Sequence, residues 1–210
     1  MAKIDLDNLD TIQFDVLKEI GNIGAGNATT ALSRMINAKI DMSVPKVKLL
    51  GFSELAEVIG TEGTVMAGIL LMLEGDIDGM MMFLLEIDSA RALVNSLLGR
   101  EKTEEKNDNE DIDFDDMELS AMREIGNIIT GSYLSALSDL TKLTIVSSVP
   151  SLQIDLAEAI LSIPAIEFSK IGDKVLLIQT QFDNESQING YFVLVPELES
   201  YDKILGSLGL

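Results

Sequence analysis

The sequence contains no cysteine, no histidine and no tryptophan, only four prolines, and aromatic residues fill just 5% of its 210 positions. Without cysteine there are no disulfide staples, no thiolate zinc sites and no thiol nucleophile, and without histidine the commonest general base and metal ligand is missing. Any chemistry falls to carboxylates, amides, hydroxyls and backbone. Basic residues are scarce too: 15 Lys+Arg stand against 35 Asp+Glu, a formal charge of −20 and a pI near 4.1. Such a charge repels polyanions, which argues against nucleic acid and anionic membrane and leaves another protein as the expected partner. The longest apolar run, Val65 to Leu73, is less than half of a bilayer span and reads as a core strand. The opening MAKIDLDNLD has no basic flank leading into an apolar stretch, so no secretory signal, no membrane insertion and a cytoplasmic location are expected.

What is present is a core. Hydrophobic residues make up 47% of the chain, enough to exclude a disordered acidic tail, and the length fits one compact body or two small fused halves. Self-similarity decides between them. Asp15 to Pro45 aligns without gaps on Ser120 to Pro150, an offset of 105 residues, with 13 identities in 31 positions. Chance would give roughly two from ordinary residue usage, so the segment is duplicated. The likeness continues as LAEVI (Leu55 to Ile59) against LAEAI (Leu156 to Ile160) and as Ile77-Asp78-Gly79 against Ile188-Asn189-Gly190. Arg100 to Glu118 is polar, acidic and reads as a solvated linker, which divides the chain into a first half, 1–105, and a second, 106–210.

Each half carries the same order of elements. Asp10 followed by Gln13 is a capping-box pattern, and Phe14, Leu17, Gly21, Gly24, Ala28, Ala31 and Met35 then recur at helical spacing, predicting a long first helix. Ile40, Met42 and Val44 alternate as an edge-type strand that Pro45 interrupts. A short helix is expected near Ser53 to Ile59. Val65 to Leu73 and Gly79 to Leu85 read as a buried hairpin joined by turn residues, and Asp88 to Leu98 as an amphipathic helix. Lys174 to Phe182, Gly190 to Val195 and Glu197 to Leu208 repeat that scheme. The expected fold is α/β (α+β): pseudo-two-fold halves forming one body, with a central sheet of about six strands covered by helices.

Apolar identities between the copies follow from packing; the polar ones need another reason. Glu19 and Asn22 match Glu124 and Asn127, at i and i+3, so carboxylate and carboxamide project from one helix face toward one small target. Asp15 or Ser120 precedes each Glu by four residues, and Gly26 or Gly131 follows each Asn by four. The stripe is polar at one end and bare at the other, as a docking surface for a foreign backbone or phosphate would be. Helix spacing alone equally allows the asparagines to bond inside the fold, with the glycines serving tight helix packing. In the second copy ITGSYLS replaces GAGNATT, so Tyr133 and Leu134 are expected to make that site bulkier than Asn27, Ala28 and Thr29 make the first.

Three further patterns carry no chemistry. Gly21, Gly24 and Gly26 lack the lysine of a phosphate-binding loop, and the second copy keeps only two of the three glycines. Met80, Met81 and Met82, with Met66 and Met72, fit core filling on a strand. DNEDIDFDD lacks the glycine and spaced ligands of a calcium loop.

The pattern Asp15, Glu19, Asn22, Pro45, met again as Ser120, Glu124, Asn127, Pro150, resembles the doubled signature of the chemotaxis phosphatase family that comprises CheC, CheX and FliY. Two intact copies without an additional switch-binding domain resemble its CheC branch. The resemblance implies hydrolysis of the aspartyl phosphate on the response regulator CheY. Asn22 and Asn127 would then orient the attacking water, and Glu19 and Glu124 would contact the regulator beside its phosphorylated aspartate. Asp15 and Ser120 flank the site, Gly26 and Gly131 leave room for docking, and Pro45 and Pro150 are structural members of the signature. The resemblance further implies a complex with CheD that raises the activity. It implies no metal or cofactor of the chain's own, because the phosphorylated regulator brings Mg²⁺. The rival function is a non-catalytic interaction protein that sequesters CheD or holds phosphorylated CheY at the flagellar switch.

Overall fold

The computed structural model describes residues 9–37, 39–42, 46–59, 63–100, 113–168, 174–183 and 187–210. The first round of elements is α1 (Thr11–Met35), β1 (Asp41–Met42), β2 (Lys46–Gly51), α2 (Phe52–Ile59), β3 (Val65–Gly75), β4 (Gly79–Glu86) and α3 (Ile87–Leu98). The second is α4 (Asp116–Thr141), β5 (Ile145–Ser147), β6 (Ser151–Leu156), α5 (Ala157–Phe168), β7 (Lys174–Asp183), β8 (Gln187–Pro196) and α6 (Leu198–Ser207), the same order again.

All the strands join one antiparallel sheet whose path runs β1-β7-β8-β4-β3-β5, with β2 also on β7 and β6 also on β3. Eight strand segments thus occupy six positions across the sheet. The register is that of a two-fold. Along the central β4–β8 pair, Gly79 faces Pro196 and Leu85 faces Gly190, with Met82 opposite Val193 midway. The edge strands are exchanged: β2 pairs Lys46 with Gln179 on the second hairpin, and β6 pairs Ser151 with Leu70 on the first. Neither half closes its own sheet. The hairpin turn rests on Gly79, at φ +154°, where a Cβ would run into the Val195 carbonyl.

The strands are buried on both faces, so their side chains divide by parity. Met81, Phe83 and Leu85 point into the core beneath α1, α3, α4 and α6, whereas Met80, Met82 and Leu84 pack under α2 and α5. The methionine run is core filling on two sides. α1 and α4 lie against each other on the larger face. Where they meet, one helix is slim and the other bulky: Gly24 and Ala28 on α1 occupy the positions held by Ile129 and Tyr133 on α4. The Tyr133 ring lies directly over Gly24, where a Cβ would collide with it, and its centroid is 5.3 Å from that of Phe192.

Both long helices start with a full capping box, Asp10 with Gln13 and Asp115 with Glu118. The second was not apparent in the sequence, where Glu118 reads as linker. Arg100 donates to Glu118 Oε1 at 2.8 Å and reaches Asp115 Oδ2 at 3.4 Å, drawing the end of α3 onto the start of α4, and Arg91 stacks 4.4 Å from the Phe114 ring centroid. The solvated linker is therefore shorter than Arg100 to Glu118, and its centre, 101–112, lies outside the described residues. The Asp115 carboxyl is held below its ordinary value of 3.8, first by the Glu118 backbone N–H and then by Arg100, against the opposing cost of desolvation. A depressed carboxylate stabilises the fold above its unfolded pKa, and that contribution disappears as pH falls through the folded value. Arg100→Ala is therefore expected to lower stability slightly near neutral pH, since Arg100 is partly exposed and its ion pairs are screened. The deficit should shrink in acid; urea titrations of both proteins at pH 7 and pH 3 measure it, and an equal deficit at both would contradict this account.

Candidate active site on the repeated helices

The signature residues sit on α1 and α4, in the middle of 25- and 26-residue helices. At about 100° per residue, Asp15, Glu19, Asn22 and Gly26 fall in one stripe, and Leu17, Gly21, Gly24 and Ala28 fall in another that enters the core. The second helix repeats this. Asp15 and Glu19 are exposed and Asn22 and Gly26 half-buried, whereas Ser120, Glu124, Asn127 and Gly131 are all exposed. Among the described residues, none of the side chains of Glu19, Asn22, Glu124 or Asn127 has a hydrogen bond or ion pair. The alternative open from spacing alone, asparagines satisfied inside the fold, therefore does not describe them.

The glycines separate into two kinds. Gly21 and Gly126, at matching positions, are where the helices touch the sheet: a Cβ would lie 2.8 Å from Val47 Cγ2 in the first and 2.6 Å from Ile69 Cγ2 in the second. Gly26 and Gly131 have nothing within 4 Å of that point. They are bare on the outer face beside the Glu-Asn pairs, and packing does not require them.

The asparagines of the two copies differ in exposure. Asn127 is open to solvent, but the Oδ1 of Asn22 is buried and has no hydrogen-bond partner among the described residues. The expected source of asymmetry is corrected. Tyr133 and Leu134 are 0% and 5% exposed and pack into the core, so they add no bulk to the second site. The direction of Tyr133 was legible, because it repeats Ala28, a member of the apolar stripe. Pro150 is half-buried between β5 and β6, and Pro45 lies outside the described residues. Among the described residues no group of three acidic side chains converges to hold a metal ion, and no helix is long and apolar enough to cross a membrane.

The sequence pattern missed the exposed aliphatics Ile12 and Met117, which begin the two stripes at matching positions. Their signal was an apolar residue off the buried stripe, present in both copies.

Comparison with known proteins places these helices in a family. A model described as the CheC-like family matches the chain twice, over residues 12–49 and 117–154, each window containing one Glu-Asn pair. The chain is 38% identical over 200 residues, 94% of either chain, to the CheY-P phosphatase CheC of Bacillus subtilis. In fold it is similar to Thermotoga maritima FliY, with a TM-score of 0.73 at 21% identity over 95% of this chain and 96% of that one. It is also similar to a chain of the CheX-CheY-BeF3-Mg+2 complex of Borrelia burgdorferi, with a TM-score of 0.50 at 16% identity over 90% and 100% of the respective chains. With both matching windows on its paired long helices and a relative alike along almost its whole length, the chain belongs to the CheC-like family.

Proposed function

We propose that this protein hydrolyses the aspartyl phosphate of CheY and that Asn22 and Asn127 each position the water that does so. The observation that carries this reading is the pair of matched Glu-Asn stripes, whose side chains have no partners among the described residues and which end on bare glycines. The full-length likeness to a CheY-P phosphatase supports it.

The chemistry suits a chain without histidine or cysteine. An acyl phosphate is already activated, and the regulator's own Mg²⁺ shields its oxygens, so the partner needs to supply neither metal nor nucleophile. What remains is placement. A carboxamide accepts a hydrogen bond through Oδ1 and donates through Nδ2, so it can hold one water in line with phosphorus at any pH near neutral. The water attacks phosphorus, the bond to the aspartyl oxygen breaks, and inorganic phosphate leaves a free carboxylate on the regulator. Glu19 and Glu124, one helical turn earlier, grip a basic group on the regulator beside that carboxylate and fix the approach. Asp15 and Ser120 flank this contact, and Gly26 and Gly131 let the regulator's backbone come close.

CheD belongs to the same proposal as a second protein partner whose binding raises the activity, on a surface away from the stripes. Mixing the purified chain with phosphorylated CheY and Mg²⁺, with and without CheD, tests both parts. Phosphate is expected to disappear faster than from CheY alone, and faster still with CheD. Decay at the rate of CheY alone in both mixtures would leave a binding protein that sequesters CheD or phosphorylated CheY.

A further inference from the structure

Two large aliphatic side chains stand in water on the catalytic helices, at the same place in each copy. Ile12 is 62% exposed and Met117 is 61% exposed, and they are separated by the 105-residue offset of the repeat. Isolated exposed apolar residues are ordinary and mean nothing singly. This case differs because of the repetition. Of the other exposed large hydrophobics, Val146 repeats Asp41 and so has no apolar counterpart in the first copy. Packing does not require Ile12 and Met117, since each sits at the second position of a helix already fixed by its capping box.

Their direction is that of the stripe. Ile12 and Glu19 are seven residues apart, two helical turns, and so share a face; Asp15, Asn22 and Gly26 lie on the same side. At 1.5 Å per residue, Ile12 is about 10 Å from Glu19 and about 15 Å from Asn22 along the axis. A standard protein interface buries about 800 Å² on each partner, a patch roughly 30 Å across, so one footprint takes in the whole stripe. The sequence of chemistry along it is apolar, acidic, amide, bare.

We infer that Ile12 and Met117 are the apolar anchors of the two docking surfaces, each covered by an aliphatic or aromatic patch of the phosphorylated regulator when the Glu-Asn pair reaches its phosphate. The inference rests on the proposed phosphatase reading for its partner. An apolar anchor complements the carboxylate next to it: Glu19 or Glu124 steers and orients through a screened contact, whereas the aliphatic group supplies affinity that salt does not remove. These are positioning residues, remote from the phosphorus.

The test compares the wild type, Ile12→Ser with Met117→Ser, Ile12→Leu with Met117→Leu, and Asn22→Ala with Asn127→Ala. Each is titrated against CheY held in its beryllofluoride–Mg²⁺ form and assayed with phosphorylated CheY, after circular dichroism has shown the helices intact. The serine pair is expected to weaken binding and raise KM by about tenfold while kcat stays within about twofold, as withdrawal of one aliphatic side chain from an interface predicts. The leucine pair should restore both. Unchanged binding and KM in the serine pair, or a wild type that does not bind the beryllofluoride form, overturns the anchor. The asparagine pair separates the two readings: full turnover there defeats the phosphatase mechanism, while loss of binding in the serine pair still stands on the titration.

Discussion

Replacing Asn22 and Asn127 together by alanine is expected to slow loss of phosphate from CheY by about 10² or more, roughly 2.7 kcal/mol of barrier, with binding of the regulator largely retained. Alanine removes the amide, which accepts and donates a hydrogen bond at once beside the docking carboxylate, but that carboxylate and the open glycine persist. The loss should therefore fall on kcat, because placement of the water matters only on the way to the transition state. The single variants are not expected to be equal. Asn127 already faces solvent, whereas one end of the Asn22 amide is sealed and must turn before a water can use it. A group poised in advance contributes more than one that has to reorganise. Asn127→Ala alone should thus remove the larger share of the rate and Asn22→Ala the smaller. Stopped-flow traces of the three variants give the order; a double variant as fast as wild type sinks the mechanism, and the reverse ranking of the singles sinks the asymmetry.

The features legible in the sequence were those the duplication printed twice. The long helices, the hairpins β3–β4 and β7–β8 and the outward Glu-Asn pairs all carried strong periodicity or repeated polar identity. The edge strands β2 and β6 did not. Ser151–Leu156 is mostly exposed and Lys46–Gly51 contains two lysines, so neither shows the apolar run that marks a buried strand. Their partners lie in the opposite half of the chain, a pairing that no local pattern contains. Glu118 read as solvated acid because its capping role depends on Arg100 folding back from α3. At the site, residue type and spacing gave the stripe, but the sealed Oδ1 of Asn22 depends on tertiary packing and has no signature in the copy itself.

The largest stability effect is expected at Tyr133, and it bears on why a duplicated protein stopped being symmetric. Its ring fills the space over Gly24 and stacks on Phe192, fully buried, and burial pushes its phenol far above the ordinary tyrosine value. Tyr133→Ala empties that space and should cost about 3–5 kcal/mol, read as a fall in the urea midpoint. Tyr133→Phe keeps the ring and removes a hydroxyl that has no hydrogen-bond partner among the described residues, so it should be neutral or stabilising by up to about 1 kcal/mol. Gly24→Ala drives a methyl into the ring and is expected to cost about 1–3 kcal/mol. Because the two residues touch, Gly24→Ala combined with Tyr133→Leu should be less destabilised than the sum of the single changes. Turnover per folded molecule should survive all of these below their melting range, since the ring points into the core and away from Glu124 and Asn127. A Tyr133→Ala protein as stable as wild type would mean that the helix pair closes over the gap, and the slim-against-bulky fit of α1 on α4 would then no longer explain why one copy carries glycine and the other isoleucine at Gly24 and Ile129.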